Sequence, residues 1–316
     1  MAVQSQTLPE AATAPQGTAR DHAFTPRDYG LYALTVVGWS LSWFAIRLQI
    51  GTVPNEVNLV WRFGIATVLM MAWVAASGRR VRFPPRGHLR FAALGILMFS
   101  SNFLLFYYGA GYLVSGLLSV VFSLASVVNI LLAALILGER PSPRVLAGGL
   151  TGFCGIALMF SPEIAVHGLS GATMIGLALC IAGTLGFCLG NQVSAAGLRR
   201  NLPLIPMTAW GMVYGTLFSA LLAVLLGKPF IIEPTVPYLG SLLFLAVIST
   251  VVAFSAYLTL LSRIGPARAG YATVLFPIFA LLVSTIMEGY RWSGYAFAGL
   301  VLVAAGNVLV IRAGKR

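Results

Sequence analysis

The sequence predicts an all-α polytopic membrane protein of ten transmembrane helices, arranged as an inverted repeat of five plus five with both termini cytoplasmic. Three observations carry that prediction. Hydrophobic residues make up 59% of the 316-residue chain and charged residues only 9%, where soluble domains carry about 25% charged residues. The apolar residues gather into ten runs, each near the roughly 20 residues a helix needs to cross a hydrocarbon core of about 30 Å. The basic residues, which set a net charge of +12, collect in every second connection between those runs.

Taken in order, residues 1–27 are rich in Ala, Thr, Gln and Pro and hold no apolar segment. They are expected to form a disordered cytoplasmic tail rather than a signal peptide. Two units follow, 28–161 and 162–316. Hydropathy and length place spans near 29–48, 57–76, 89–108, 114–137, 143–161, 171–190, 204–226, 237–258, 268–287 and 293–311. Prolines fall mostly between the runs, where helices must end. The first span carries Trp39 and Trp43, the second Arg62 and the ninth Pro277. The fourth closes on the elbow Gly138-Glu139-Arg140-Pro141-Ser142, and the fifth carries Gly148, Gly149, Gly152 and Gly155. Glycines and serines so spaced let membrane helices approach closely. Cys180 and Cys188 lie on one predicted helix, about 12 Å apart along its axis, too far to bridge. With Cys154 they read as small apolar fillers.

Charge sets the orientation. Arg79, Arg80, Arg82, Arg86 and Arg90 follow the second span, Arg140 and Arg144 the fourth, Arg199 and Arg200 the sixth, and Arg263 and Arg268 the eighth. With Arg20, Arg27, Arg312, Lys315 and Arg316, sixteen of the twenty basic residues fall on one side. Only Arg47, Lys228 and Arg291 fall on the other, and Arg62 lies within a span. The positive-inside rule makes the basic side cytoplasmic. The same distribution explains the net charge without nucleic acid. A shift of 151 positions carries Gly138, Arg140, Ser142, Ala147, Gly148, Gly155 and Leu158 onto Gly289, Arg291, Ser293, Ala298, Gly299, Gly306 and Leu309. The first and sixth spans compare loosely from Gly38 and Gly183. Five spans is an odd number, so two homologous units insert in opposite directions, a recurring signature of secondary transporters.

Ten spans as five plus five, the tryptophan-rich first span, Arg62 early in the second, and Leu137-Gly-Glu-Arg-Pro-Ser before a glycine-rich fifth span resemble the drug/metabolite transporter superfamily, and within it the EamA-type exporters. The resemblance covers about residues 29–312. Length and an aromatic-rich first half are similar to the aromatic amino-acid exporters of the YddG type. It implies a multi-pass protein of a bacterial-type inner membrane that exports small metabolites without a cofactor. Two departures stand out: Gly289-Tyr290 replaces Gly138-Glu139 in the second half, and Pro277 falls opposite Ser126, so the halves are expected to bend differently.

No Walker-type GxxxxGK[ST], HExxH, GxSxG or metal-spaced Cys/His set is present. Neither a nucleotide-hydrolysing module, a metal nor a catalytic constellation is therefore expected. His22, His88 and His167 are expected to be solvated outside the spans. Glu56, Glu139, Glu163, Glu233 and Glu288 all sit at span ends or in loops. A buried mid-span acid is the usual proton carrier or counter-charge for an organic cation; its absence favours a downhill carrier of neutral or zwitterionic solutes. Semipolar stripes at helical spacing nominate a cavity: Trp39, Ser42 and Trp43; Phe99, Asn102 and Phe106; Ser123 and Ser126; Trp210 and Tyr214; and Ser249. Such walls suit an amphipathic solute of amino-acid size, although serines also serve helix packing and aromatics also face lipid. Glu139 and Arg140 read as an inner-face clasp and Pro277 as a hinge that frees a carbonyl. Arg62 is expected to snorkel or to anchor its helix, ahead of any direct contact with a carboxylate. Other cargo, such as drug-like compounds, nucleobases or sugar phosphates, is the alternative reading, and an intramembrane enzyme a remote one. The partners expected are a small-molecule substrate and lipid.

Overall fold

The computed structural model describes residues 25–137, 142–167, 171–264 and 272–313. The N-terminal tail, the Glu139–Arg140 elbow and Arg268 lie outside them. The described chain is helical throughout, with no strand. Its helices are α1 (Pro26–Arg47), α2 (Asn55–Ala76), α3 (Pro85–Leu94, Gly95–Ser101 and Asn102–Gly109 in sequence) and α4 (Ser115–Ser123 followed by Ala125–Leu137). Then come α5 (Pro143–His167), α6 (Ala172–Leu198), α7 (Leu204–Leu225) and α8 (Val236–Leu243, Phe244–Val252 and Ala253–Ile264 in sequence). Last are α9 (Ala272–Met287) and α10 (Gly294–Ala313). Among the described residues, nine helices are long and apolar enough to cross a membrane. The protein is thus a multi-pass membrane protein. Helix α9, at 16 residues, spans about 24 Å, short of the full core thickness.

Local signals explain the helix ends. Thr25 caps α1 in a capping box with Asp28, each side chain taking up the other's free backbone N–H. Helix α2 closes at Gly78 (φ 64°) and α7 at Gly227 (φ 62°), a left-handed conformation that glycine adopts without a Cβ penalty. The residue after each glycine donates back to the chain in the same way: Arg79 N to Val74 O at 3.2 Å and Lys228 N to Ala223 O at 2.8 Å. These two caps are related by a shift of 149 positions at every atom named. The same shift links further pairs. Trp61 and Trp210 are 149 apart and donate their Nε1–H groups reciprocally, to Ile231 O (3.0 Å) and to Val81 O (2.9 Å), acceptors that are 150 apart. The π-helical stretches of α3 and α8 begin at Gly95 and Phe244. Thr67 and Thr216, also 149 apart, meet each other at 3.4 Å.

Helices α5 and α10 cross backbone to backbone. A Cβ on Gly148 falls 2.7 Å from Gly306 O, and one on Gly306 falls 2.5 Å from Gly148 O. Gly155 and Gly299 repeat the arrangement at 2.6 and 2.5 Å. Since Gly148 meets the later glycine of α10 and Gly155 the earlier one, the two helices run antiparallel. The seam uses four of the glycines that the 151-residue shift aligns, Gly148 with Gly299 and Gly155 with Gly306. Helices α2 and α7 form a second pair, seated against the π-helical stretches of α3 and α8. Between the two pairs lie α1, α3, α4, α6, α8 and α9. The expected kink at Pro277 is not where the chain is interrupted: α9 is helical across Pro277, whereas α4 breaks at Leu124. Ser40 Oγ, from α1, donates mainly to Val36 O at 2.6 Å and shares its proton with Phe276 O at 3.1 Å, beside the proline.

Candidate functional site

The six central helices each contribute an aromatic ring to one assembly. Trp39 (α1) lies 5.1 Å from Tyr257 (α8) and 6.5 Å, edge on, from Phe276 (α9). Phe276 reaches Phe122 (α4) at 6.1 Å. Phe122 in turn meets Trp43 (α1) at 5.4 Å, Phe106 (α3) at 5.6 Å and Phe187 (α6) at 4.8 Å. Trp43 and Phe106 close the set at 5.1 Å. The rings meet edge-on or tilted, the arrangement their quadrupoles favour. Three of these helices belong to each half of the chain, so the assembly straddles the boundary between the halves.

Glycines bring the helices close enough for this. A Cβ on Gly38 falls 2.9 Å from Ala253, and one on Gly183 falls 2.9 Å from the Phe106 ring. These are the two glycines from which the first and sixth spans compare. The hydroxyls around the rings are held locally. Ser42 Oγ donates to Trp39 O (2.6 Å), and Ser123 Oγ donates to Val120 O (2.7 Å). Ser126 is hydrogen-bonded to Asn307 Oδ1, and Asn307 Nδ2 donates to Ser123 Oγ at 3.3 Å. Asn307 ties α10 to α4 within the membrane.

The residues proposed from sequence separate into groups. Trp39, Trp43 and Phe106 meet in the assembly, with Ser42, Ser123 and Ser126 beside it. Trp43 is only 7% exposed and Ser42 is buried, so this face of α1 is enclosed by rings. Asn102 is buried with Oδ1 unpartnered, near the close approach of Gly183 and Gly186. Phe99 turns to Phe63 at 5.7 Å and to the α7 glycines. Ser249 is buried in the π-helical stretch of α8. Trp210 and Tyr214 form a separate cluster at the basic end, and His88, expected to be solvated, belongs to it. His88 sits 4.6 Å from the Trp210 ring, and its Nδ1 is 3.0 Å from the Tyr214 hydroxyl. It lies within the first turn of α3 rather than in a loop, which is why the expectation failed. Arg62 does not snorkel: it is 2% exposed and turned inward. Glu139 and Arg140 fall outside the described residues.

Sequence reasoning missed Phe122, Phe187, Tyr257 and Phe276, which are unexceptional in so apolar a chain. It also missed Asn307, whose lone amide inside an apolar helix was a usable signal.

Both ends of the central group are latched. At the end away from the basic loops, Glu288, just beyond the end of α9, accepts from Ser115 N (3.0 Å) and from the hydroxyls of Ser115 and Ser284 (2.5 Å each). Gly116 N donates to Ser284 Oγ at 2.7 Å. A carboxylate there compensates the free N–H groups at the start of α4. Arg47 stands 4.0 Å from Glu288 and donates to Ala110 O. At the basic end, Arg263 Nε donates to Asp28 Oδ1 at 2.5 Å, linking α8 to α1. Among the described residues no group of His, Cys, Asp and Glu could hold a metal.

A bundle of membrane-crossing helices with its buried aromatics at the boundary of two halves is the architecture of a membrane transporter. The chain belongs to the EamA-like transporter family of the drug/metabolite transporter superfamily, matching it over residues 29–161 and again over 174–312. An uncharacterized transporter of Archaeoglobus fulgidus is 27% identical over 280 residues, covering 89% of this chain and 97% of that one. A "probable amino-acid metabolite efflux pump" of Escherichia coli is 24% identical over 297 residues, covering 90% and 96%. A "probable terminal-alkyne amino-acid exporter" of Streptantibioticus cattleyicolor is 25% identical over 280 residues, covering 88% and 91%. A solved crystal structure has the same fold, with a TM-score of 0.65 at 18% identity over 92% of this chain and 99% of that one.

Proposed function

We propose that the protein is a secondary transporter, not an enzyme, that exports small amphipathic metabolites across a bacterial-type inner membrane. The cargo class we favour is amino acids, including aromatic and other neutral ones. In this reading the chain makes ten spans in two units, 28–161 and 162–316, related by a two-fold axis in the membrane plane. The basic loops are cytoplasmic. The antiparallel α5–α10 seam and the reciprocal tryptophan bonds support opposite insertion of the units, since each half repeats in the other what the other does to it.

The observation that carries the reading is the aromatic assembly of Trp39, Trp43, Phe106, Phe122, Phe187, Tyr257 and Phe276 at the boundary of the halves, where secondary transporters of this kind bind cargo. Ring faces suit an ammonium and an apolar side chain together. Alternating access then corresponds to releasing the Glu288 latch and the Asp28–Arg263 latch in turn. Names of relatives that include amino-acid exporters agree with the cargo class.

The test is flux of a labelled amino-acid panel in proteoliposomes, with and without a pH gradient. Saturable flux of neutral amino acids is the expected result. Flux of nucleobases or sugar phosphates in place of amino acids would overturn the cargo class.

A further inference from the structure

Arg62 is a cation without an adequate partner. It lies seven residues into α2, about 10 Å along the helix from its first residue. Of its N–H groups, Nη2 reaches Thr250 Oγ1 at a long 3.4 Å, while Nε and Nη1 are buried with no hydrogen-bond acceptor. The Thr250 hydroxyl already donates to Leu245 O at 2.7 Å, so it can accept from Arg62. The guanidinium carbon stands 4.4 Å from the Phe103 ring and 5.1 Å from that of Phe63. Among the described residues, the ion pairs are Arg47–Glu288 and Arg263–Asp28, and neither reaches it.

Removing a cation from water is costly even after relaxation. Contacts to aromatic faces return only part of that cost. A role confined to helix anchoring would be served by groups that satisfy one another. Here the donors are left unsatisfied. The Tyr107 hydroxyl, hydrogen-bonded to Gln49 Oε1, faces the guanidinium, and Gln49 Nε2 is itself buried and unpartnered. Two guanidinium nitrogens and one amide nitrogen, all buried without a hydrogen-bond partner, are donors suited to an anion. A guanidinium presents its N–H groups in a planar fork that matches a carboxylate.

We propose that Arg62, assisted by Gln49 Nε2, receives the carboxylate of the transported solute. The proposal rests on the amino-acid reading above and deepens it. Helix α3 places the two subsites side by side. Phe103 and Tyr107 surround Arg62, while Phe106, between them in sequence, belongs to the aromatic assembly. A solute of amino-acid size can therefore present its carboxylate to Arg62 and its side chain to the rings. The same donors accept a carboxylate whether or not an ammonium accompanies it.

The experiment measures binding to the purified full-length protein by thermal shift, using phenylalanine, phenylacetate, phenylalaninamide and phenethylamine. The two acids are expected to bind at least tenfold more tightly than the amide and the amine. Arg62→Gln should erase that gap, and Arg62→Lys, which keeps the charge but not the fork, should narrow it severalfold. Equal binding of acid and amide by the unaltered protein overturns the proposal, as does a gap that persists in Arg62→Gln. If Arg62→Gln does not fold, the unaltered protein and Arg62→Lys still decide. An Arg62-dependent gap for phenylacetate, with no binding of phenylalanine, would sink the amino-acid reading and leave the anion site standing. Flux of amino acids that is indifferent to Arg62 would do the reverse.

Discussion

The α5–α10 seam and the aromatic centre are both buried between helices, yet they are built on opposite principles. In the seam, four glycines bring backbone against backbone, and nothing there can yield without moving a helix. In the centre, contact is made by side chains from six helices meeting ring edge to ring face. The Ser42 and Ser123 hydroxyls beside them donate within their own helices. Under the proposed function, the difference separates a part that holds the halves together from the part that receives cargo. Hydrogen bonds between α4 and α10 at Ser123, Ser126 and Asn307 connect the two.

The comparison breaks first at the seam. Gly155→Leu or Gly306→Leu places several carbons where even a Cβ lies within 2.7 Å of backbone. Overpacking typically costs about 1–3 kcal/mol, and more where backbone must shift. The largest effect expected is loss of monodisperse protein on size-exclusion chromatography. Normal yield and thermal stability in both variants would show that the seam is not rigid.

A smaller effect is expected at the latch. Glu288→Gln removes the charge that three donors converge on. Hydrogen bonds to charged groups contribute about 1.5–3 kcal/mol, so thermal stability should fall while solute entry from the Glu288 side quickens. Slower entry with unchanged stability would contradict a latch. Smaller still, Trp210→Phe removes the bond to Val81 O, a loss of about 1 kcal/mol. It should leave amino-acid selectivity unchanged, because Trp210 lies with His88 and Tyr214 away from the assembly. A changed substrate order in this variant would return Trp210 to the cargo site. Least of all is expected from the proton gradient, since the assembly contains no carboxylate. An uncoupler should leave concentration-driven flux largely intact, and arrest of flux would point to Glu56 or Glu288 as an unrecognised proton path.

Much of the fold was legible because the bilayer imposes it. Span length and the glycines of α5 and α10 are fixed by lipid thickness and backbone approach. The 149-residue correspondence of Trp61 with Trp210 and of Gly78 with Gly227 was present in the sequence, but it is hidden among apolar residues that substitute freely. The site was legible only in part. Trp39, Trp43 and Phe106 stood out by type and spacing, whereas Phe122 and Phe276 gain meaning only when six helices converge. The position of His88 depended on where α3 begins, and helix ends are the least certain feature of such a reading. Of the two readings of Arg62, snorkelling does not hold, since a long cation one or two turns from a span end can snorkel and sequence does not reveal that this one turns inward.

The central claim is that the aromatic assembly is where cargo binds. It is tested most directly by comparing flux of a large aromatic and a small neutral amino acid through Trp43→Ala and Trp39→Ala in proteoliposomes, beside the thermal stability of each variant. Loss of an aromatic contact to a bound ammonium is worth about 0.5–2 kcal/mol, or up to roughly thirtyfold in affinity. The account predicts that aromatic amino-acid flux falls severalfold or more relative to the small one, in protein that still purifies as one species. Equal loss for both solutes, in step with lowered stability, would mean that the tryptophans only fill the core.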